Sequence, residues 1–314
     1  MKADKGKILI TGATGFVGSA LCNTLIQNEL SIVGVSRGKT TQPWHVLGPS
    51  LSVDADWSAL LTNVGVVIHC AALVHQMRCG DNVSQDDYLR INTEGTLKLA
   101  RDAVAGGVKR FIYLSSVKVN GEFSQVDKPF STSNEHIPAD PYGFSKYQAE
   151  TQLLQLAKET GLEVVIIRPP LVYGKGVKAN FLSMVKWVKM RLPLPFSRVK
   201  ALRSLVYIDN LIDLIVVCCT HPNANGRVFM VSDDHDITLP DLLSEIANAM
   251  GKRCFLFPIP ICFLKVVLSI IGLKSVAQRL LHPLQVDISE TKQCLDWIPP
   301  VSFSDAIAIT VKNI

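Results

Sequence analysis

Apolar residues fall in two alternating patterns along the first half of the chain. Lys7 to Thr11, Ser31 to Val35, Val64 to Cys70, Arg110 to Ser115 and Glu163 to Arg168 are short, β-branched runs of the kind that form strands buried on both faces. Between them, Val17 to Asn28, Asp86 to Ala105 (with Leu89, Leu97 and Val104) and Tyr142 to Thr160 repeat their apolar residues at helical spacing. Strand and helix in regular succession predict an α/β fold, a Rossmann-type doubly wound parallel sheet. After Arg168-Pro169-Pro170 the rhythm breaks, and prolines recur at 193, 195, 240, 258, 260, 283, 299 and 300. Residues 1–170 are therefore read as the main domain and 171–314 as a smaller C-terminal α/β domain, with 204–220, strand then helix, returning to the first. Cys254 to Gly272 is apolar enough to raise a membrane question, but Pro258, Pro260 and Lys265 interrupt it, and the expectation is a buried hairpin or helix.

Composition narrows the class. With 314 residues, 48% hydrophobic and 19% charged, the chain is neither disordered nor collagenous nor a disulfide miniprotein. A net charge of +5, with 32 basic and 27 acidic residues and no long run of either, gives little support to a nucleic-acid surface. The 8 cysteines include no C-x-x-C pair and read as reduced core thiols of a cytoplasmic protein. Lys2, Lys5 and Lys7 precede an apolar stretch that glycines interrupt, which reads against a secretory leader. No His, Cys, Asp and Glu cluster has metal-ligand spacing, and Trp44, Trp57, Trp187 and Trp297 read as packing residues. His69 reads as a satisfied core histidine, and the same reading is preferred for His75.

The chemistry starts at Thr11-Gly12-Ala13-Thr14-Gly15-Phe16-Val17-Gly18, between the first strand and the first helix. Gly12, Gly15 and Gly18 permit a tight turn and close helix packing, and Thr14, Phe16 and Val17 complete a helix start whose free amides suit a pyrophosphate. At the end of the second strand, where a carboxylate would hold the ribose of NAD, stand Ser36 and Arg37. A hydroxyl and a cation suit the 2'-phosphate of NADP(H), so NADP(H) is favoured and NAD(H) is the alternative. Asp54 and Ala55 are placed at the adenine, although a turn role for Asp54 is equally open.

Ser115 and Ser116 end a strand, and Tyr142 and Lys146 lie four apart at the start of a helix. A shared helix face lets the ammonium lie near the phenol and favour the phenolate, which otherwise has a pKa of about 10 and is a poor base at neutral pH. Ser116 can then hydrogen-bond the oxygen that Tyr142 protonates or deprotonates while hydride moves between a carbon and a nicotinamide.

Together these motifs resemble the extended short-chain dehydrogenase/reductase family, in its nucleotide-sugar epimerase/dehydratase branch. The resemblance rests on Gly12, Gly15 and Gly18, on Ala71-Ala72 after the strand ending at Cys70, on Asn92 in Ile-Asn-Thr-Glu-Gly-Thr, on Ser116, Tyr142 and Lys146, and on Arg168-Pro169. It implies that residues 1–170 bind NAD(P), with Ala71, Ala72, Asn92, Ser115 and Pro169 joining the cofactor site, and that the smaller domain binds a UDP-sugar. By the same likeness Leu171 to Gly174 joins the nicotinamide and sugar sites, Asn180 contacts the diphosphate, Arg203 faces the nucleotide phosphates and Phe196 borders the uracil. Leu114 to Glu122 and Leu284 to Asp287 look most like members of bacterial surface-polysaccharide pathways. A homodimer through the helices 86–105 and 142–160 is the implied assembly, without nucleic acid and with membrane contact disfavoured.

Departures from the pattern are informative. Val117 and Lys118 replace the acid and base that 4,6-dehydratases need beside the serine, which removes dehydration. Leu171 stands where many UDP-galactose epimerases carry asparagine. The expectation is a UDP-glucose or UDP-N-acetylhexosamine 4-epimerase, with an NADPH-dependent 4-ketoreductase as the alternative favoured by Arg37. A non-catalytic NADP-binding regulator is a third reading, against which the intact Ser116, Tyr142 and Lys146 argue.

Overall fold

The computed structural model describes residues 6–38, 41–74, 83–133, 137–177, 179–270, 278 and 280–314, leaving aside the side chains at 179, 180, 267 and 268. His75 lies outside the described residues, as does the side chain of Asn180. Strands are numbered along the chain. Seven form one parallel sheet: β1 (Lys7–Thr11), β2 (Ile32–Ser36), β3 (His45–Leu47), β4 (Val64–His69), β5 (Arg110–Leu114), β6 (Glu163–Arg168) and β10 (Arg227–Met230). Their order is β10-β6-β5-β4-β1-β2-β3, the doubly wound arrangement that the alternation predicts.

The sheet is covered on both faces, which is why its strands read as continuous apolar runs. On β1, Ile8 and Ile10 join one core with Leu21, Cys22 and Leu25 of α1 (Phe16–Gln27), whereas Leu9 joins a second core on the other face. That second core includes Leu97 and Leu99 of α3 (Gly95–Ala105) and Ala149 and Leu153 of α4 (Pro141–Thr160). β6 divides in the same way, with Val165 and Ile167 on one side and Val164 and Ile166 on the other. The period of two sorts each strand's side chains between two helical layers.

The expected helix over 86–105 is not uniform. It opens at α2 (Gln85–Tyr88) on a capping box between Ser84 and Asp87, passes through a π-helical segment at Leu89–Glu94, and resumes as α3. Helix α4 starts where Asp140 Oδ2 accepts from Gly143 N (2.8 Å) with Pro141 in the first turn, and stops at left-handed Gly161.

Beyond β6 the chain builds a three-stranded sheet from β7 (Leu171–Tyr173), β9 (Leu202–Tyr207) and β11 (Asp236–Thr238), and pairs β8 (Pro193–Leu194) with β12 (Phe255–Leu256). Helices α5 (Ala179–Lys189), α6 (Ile208–Thr220), α7 (Leu239–Ala249) and α8 (Ile261–Ile270) accompany them. The 204–220 stretch divides: β9 lies in the small sheet, whereas α6 packs on α1 and β5. The expectation of a buried element over Cys254 to Gly272 is corrected. Leu264 reaches the core, but Phe255, Phe257, Ile261, Phe263, Val266 and Ile270 are exposed. Among the described residues no helix is long and apolar enough to cross a membrane.

Candidate active site

The strand order reverses between β1 and β4, and a cavity of about 400 Å³ opens there. Thr11, Gly12, Thr14 and Gly15 line one side, Ser36, Arg37 and Gly38 the end beyond β2, and Cys70 to Val74 the other side. Gly12 has φ +70°, and a Cβ on it would stand 2.8 Å from the amide nitrogen of Ala71. At Gly18 a Cβ would lie 2.2 Å from the carbonyl oxygen of Gly12, so helix and turn touch without room for a methyl group. Helix α1 begins at Gly15 with no side-chain cap and no acidic residue in its first turn, which leaves its first amides for an anion.

Sequence reasoning did not find all of the lining. Pro49, Ser50, Leu51 and Trp57 close the end where Asp54 and Ala55 were expected. Asp54 is exposed and Ala55 is buried, and neither lines the cavity. Trp57 is buried, and its Nε1 has no hydrogen-bond partner among the described residues, so a donor is available beside the cavity. A glycine cradle, an uncapped helix start and an orphan donor fit an adenine dinucleotide. Phe16 and Val17 pack on the core and Gly18 lies beneath the turn, so these three shape the site without lining it.

The 71–74 wall is fixed from the π-helical segment. Asn92 Oδ1 accepts from Leu73 N (2.7 Å), while its Nδ2 donates to Leu73 O (2.9 Å) and to Ser145 Oγ (3.1 Å). Thr93 Oγ1 donates to Ser145 O (2.8 Å). Asn92 was expected to bind cofactor, but its amide is filled by the chain itself; it holds the wall and clamps α4 one residue before Lys146. The π-helical turn allows successive inward residues to do this.

On α4 Tyr142 and Lys146 lie one turn apart, and the Ser116 side chain lies near enough to the phenol to lower its pKa. Ser116 caps the turn at Val117–Val119, its Oγ accepting from Lys118 N (3.2 Å). Lys146 is buried; its Nζ donates to Leu114 O (2.9 Å) and sits 4.5 Å over the ring of Tyr113 and 6.0 Å from the ring centre of Tyr142. The expectation that the ammonium favours the phenolate is not carried by Lys146 among the leading influences on the phenol. Burial, then the Asp140 carboxylate, raise the Tyr142 pKa, and only the Ser116 hydrogen bond among its leading influences lowers it. Burial brings Lys146 down to about 8.

The remaining predicted residues divide between support and wall. Ser115 was expected at the cofactor, but its Oγ donates to Glu150, away from the cavity lining. Pro169 is buried and its carbonyl accepts from Val117 N (3.0 Å), tying β6 to the Ser116 turn. Ser36 Oγ donates to Gly38 O (3.0 Å) and shares a hydrogen with His45 Nε2 (2.7 Å), so Arg37 is left as the polar head at this end. Phe196 is buried in the core against Trp187, and Arg203 is half-buried on β9; neither reaches the dinucleotide cavity. His69 is buried between Thr11 Oγ1 (2.6 Å) and Thr96 Oγ1 (2.9 Å), a satisfied core residue.

A model of the NAD dependent epimerase/dehydratase family matches residues 8–232. The chain belongs to this family. A UDP-glucose 4-epimerase of Vibrio cholerae is 42% identical over 309 residues, 97% of this chain and 94% of the relative. A dTDP-4-dehydro-6-deoxyglucose reductase of Escherichia coli is 23% identical over 337 residues, covering 100% of this chain and 99% of that one. Among solved structures, a UDP-glucuronic acid 4-epimerase from Bacillus cereus in complex with NAD aligns with a TM-score of 0.77 at 24% identity, over 98% of this chain and 96% of that one. That neighbour supports the family's fold, and the extended short-chain dehydrogenase/reductase branch is the one that the motifs indicate.

Proposed function

We propose that the protein inverts C4 of a UDP-linked hexose through a 4-keto sugar, using a nicotinamide dinucleotide that is regenerated in each turnover. The observation that carries this reading is the 42% identity, over nearly the whole of both chains, with a protein named for that activity. The Ser116, Tyr142 and Lys146 arrangement supplies the chemistry. Tyr142 Oη exchanges the proton of the sugar hydroxyl, Ser116 Oγ donates a hydrogen bond to that oxygen, and Lys146 places positive charge beside the phenol. When bound, the nicotinamide supplies a reversible hydride acceptor. Dehydration has no support: Val117 is buried, and Lys118 is within 3.4 Å of both Glu122 and Asp140.

NAD is the cofactor that this reading favours. The Ser36 hydroxyl is engaged by Gly38 and His45, so the 2'-phosphate preference inferred from Ser36 and Arg37 now rests on Arg37 alone. Arg37 is also the specific observation behind a second reading, net NADPH-dependent reduction of a 4-keto sugar. Incubation with UDP-glucose, UDP-N-acetylglucosamine and a UDP-linked 4-keto-6-deoxyhexose, each with and without NADPH, separates them. C4 inversion without net cofactor consumption supports the epimerase; stoichiometric NADPH oxidation on a keto sugar, without inversion, replaces it with the reductase. We place the enzyme in the cytoplasm and read α3 and α4, which pack side by side, as the homodimer face.

A further inference from the structure

The C-terminal part presents an apolar strip built from three neighbouring pieces of chain. α5 ends at Lys189 and leads through exposed Met190 and Leu192 into β8, which pairs with β12; Phe257 N then donates to Leu194 O (3.0 Å) and Lys252 Nζ to Lys189 O (3.1 Å). Phe255 and Phe257 project from alternate positions, 52% and 40% exposed. After Pro258 and Pro260 comes α8, which sends Leu264 inward and leaves Phe263, Val266 and Ile270 outward at 57%, 54% and 78%. Their i, i+3, i+7 spacing places these three on one stripe opposite Leu264. Single exposed apolar residues are ordinary; aromatic and aliphatic side chains gathered on one helix and the strand that leads into it are not.

The charges within these segments have one sign. Lys189, Arg191, Arg253 and Lys265 are exposed here, and the chain carries no Asp or Glu from 164 to 208 or from 246 to 286. We infer that this face docks on an anionic phospholipid bilayer, with the Phe257, Phe263, Val266 and Ile270 side chains entering the headgroup boundary and the four cations facing lipid phosphates. Basic segments without acidic residues complement an anionic surface and would be repelled by a second copy of themselves. The face lies outside the catalytic residues, so this inference stands independently of the enzymatic reading.

The test is co-sedimentation of the full chain with vesicles of phosphatidylcholine alone and of phosphatidylcholine with about 30% phosphatidylglycerol. The expected result is at least about tenfold tighter partitioning to the anionic vesicles, reduced by 0.5 M salt through screening. Phe263→Asp with Ile270→Asp, and separately Arg191→Glu with Lys265→Glu, should each abolish most of it while circular dichroism stays unchanged. No binding to anionic vesicles, or binding that both variant pairs leave intact, overturns the inference. So does sedimentation velocity showing an oligomer that Phe263→Asp with Ile270→Asp dissociates, since a second copy would then cover the face.

Discussion

Arg168, the last residue of β6, lays its guanidinium along the carboxylate of Glu150 in the middle of α4, with Nη2 to Oε2 at 2.6 Å and Nε to Oε1 at 3.0 Å. Both side chains are buried. Glu150 also accepts from Ser115 Oγ, and Arg168 Nη1 donates to Asn120 Oδ1 (3.0 Å) and Thr132 O (3.1 Å). The pair thus joins the strand end, the turn that carries Ser116, and the helix that carries Tyr142 and Lys146. Removing one partner of such a pair leaves a buried charge without compensation. Glu150→Ala is expected to lower the unfolding free energy by about 3–5 kcal/mol, whereas Glu150→Leu with Arg168→Met should cost less than the two single changes added together. Urea unfolding of the singles and the double checks this, and strict additivity would remove the coupling.

None of that network announces itself in the sequence. Arg168 was legible only as part of a motif, because a carboxylate 18 residues away has no local signature. The large sheet was legible, since strands covered on both faces must be apolar throughout, and so was the Gly12 to Gly18 turn, where backbone approach excludes side chains. β10 was not, because a four-residue edge strand reached after a long excursion looks like any short apolar run. Trp57 and the outward face of α8 were missed for a shared reason: apolarity marks what leaves water, without saying whether protein, cofactor or lipid replaces it.

Gly18 gives a sharp test of the turn. A methyl group there would stand 2.2 Å from the Gly12 carbonyl oxygen, a backbone atom that can yield only by moving the turn. Gly18→Ala is expected to weaken dinucleotide binding by tenfold or more and to destabilise the fold by about 1–3 kcal/mol. Gly65→Ala is the control, because Gly65 does not line the cavity and a Cβ there meets nothing nearer than 3.5 Å. Calorimetric titration with NAD of both variants checks the difference, and equal affinities would dissociate the turn from the cofactor.

His69 ties stability to pH. Burial first, and then the Lys146 charge, pull its pKa from 6.5 to about 3, so the folded protein keeps the imidazole neutral while the unfolded chain takes up a proton below 6.5. The stability associated with the neutral ring is complete above pH 6.5 and falls as the pH drops toward 3, because the unfolded state then binds the extra proton. The expected slope from this one group is about 1.4 kcal/mol per pH unit. Urea unfolding at pH 7, 6 and 5 should show it in the parent and not in His69→Gln; parallel slopes would show that the ring titrates normally.

In the proposed reaction turnover rests on Tyr142, whose surroundings allow a clean substitution. Its ring meets Tyr88 edge-on with centroids 6.1 Å apart at 69°, a contact that phenylalanine keeps, so Tyr142→Phe removes the hydroxyl and little else. Loss of an acid/base made use of in the transition state should lower kcat and kcat/KM together, by about 10²-fold or more, with an unchanged urea midpoint. Ser116→Ala, which removes the hydroxyl beside the phenol, should lower kcat less, because water can replace a neutral hydroxyl. Lys146→Met should reproduce the kcat loss of Tyr142→Phe by taking away the buried cation. Near-normal kcat in Tyr142→Phe, with UDP-glucose as substrate, would transfer the proton chemistry to another group.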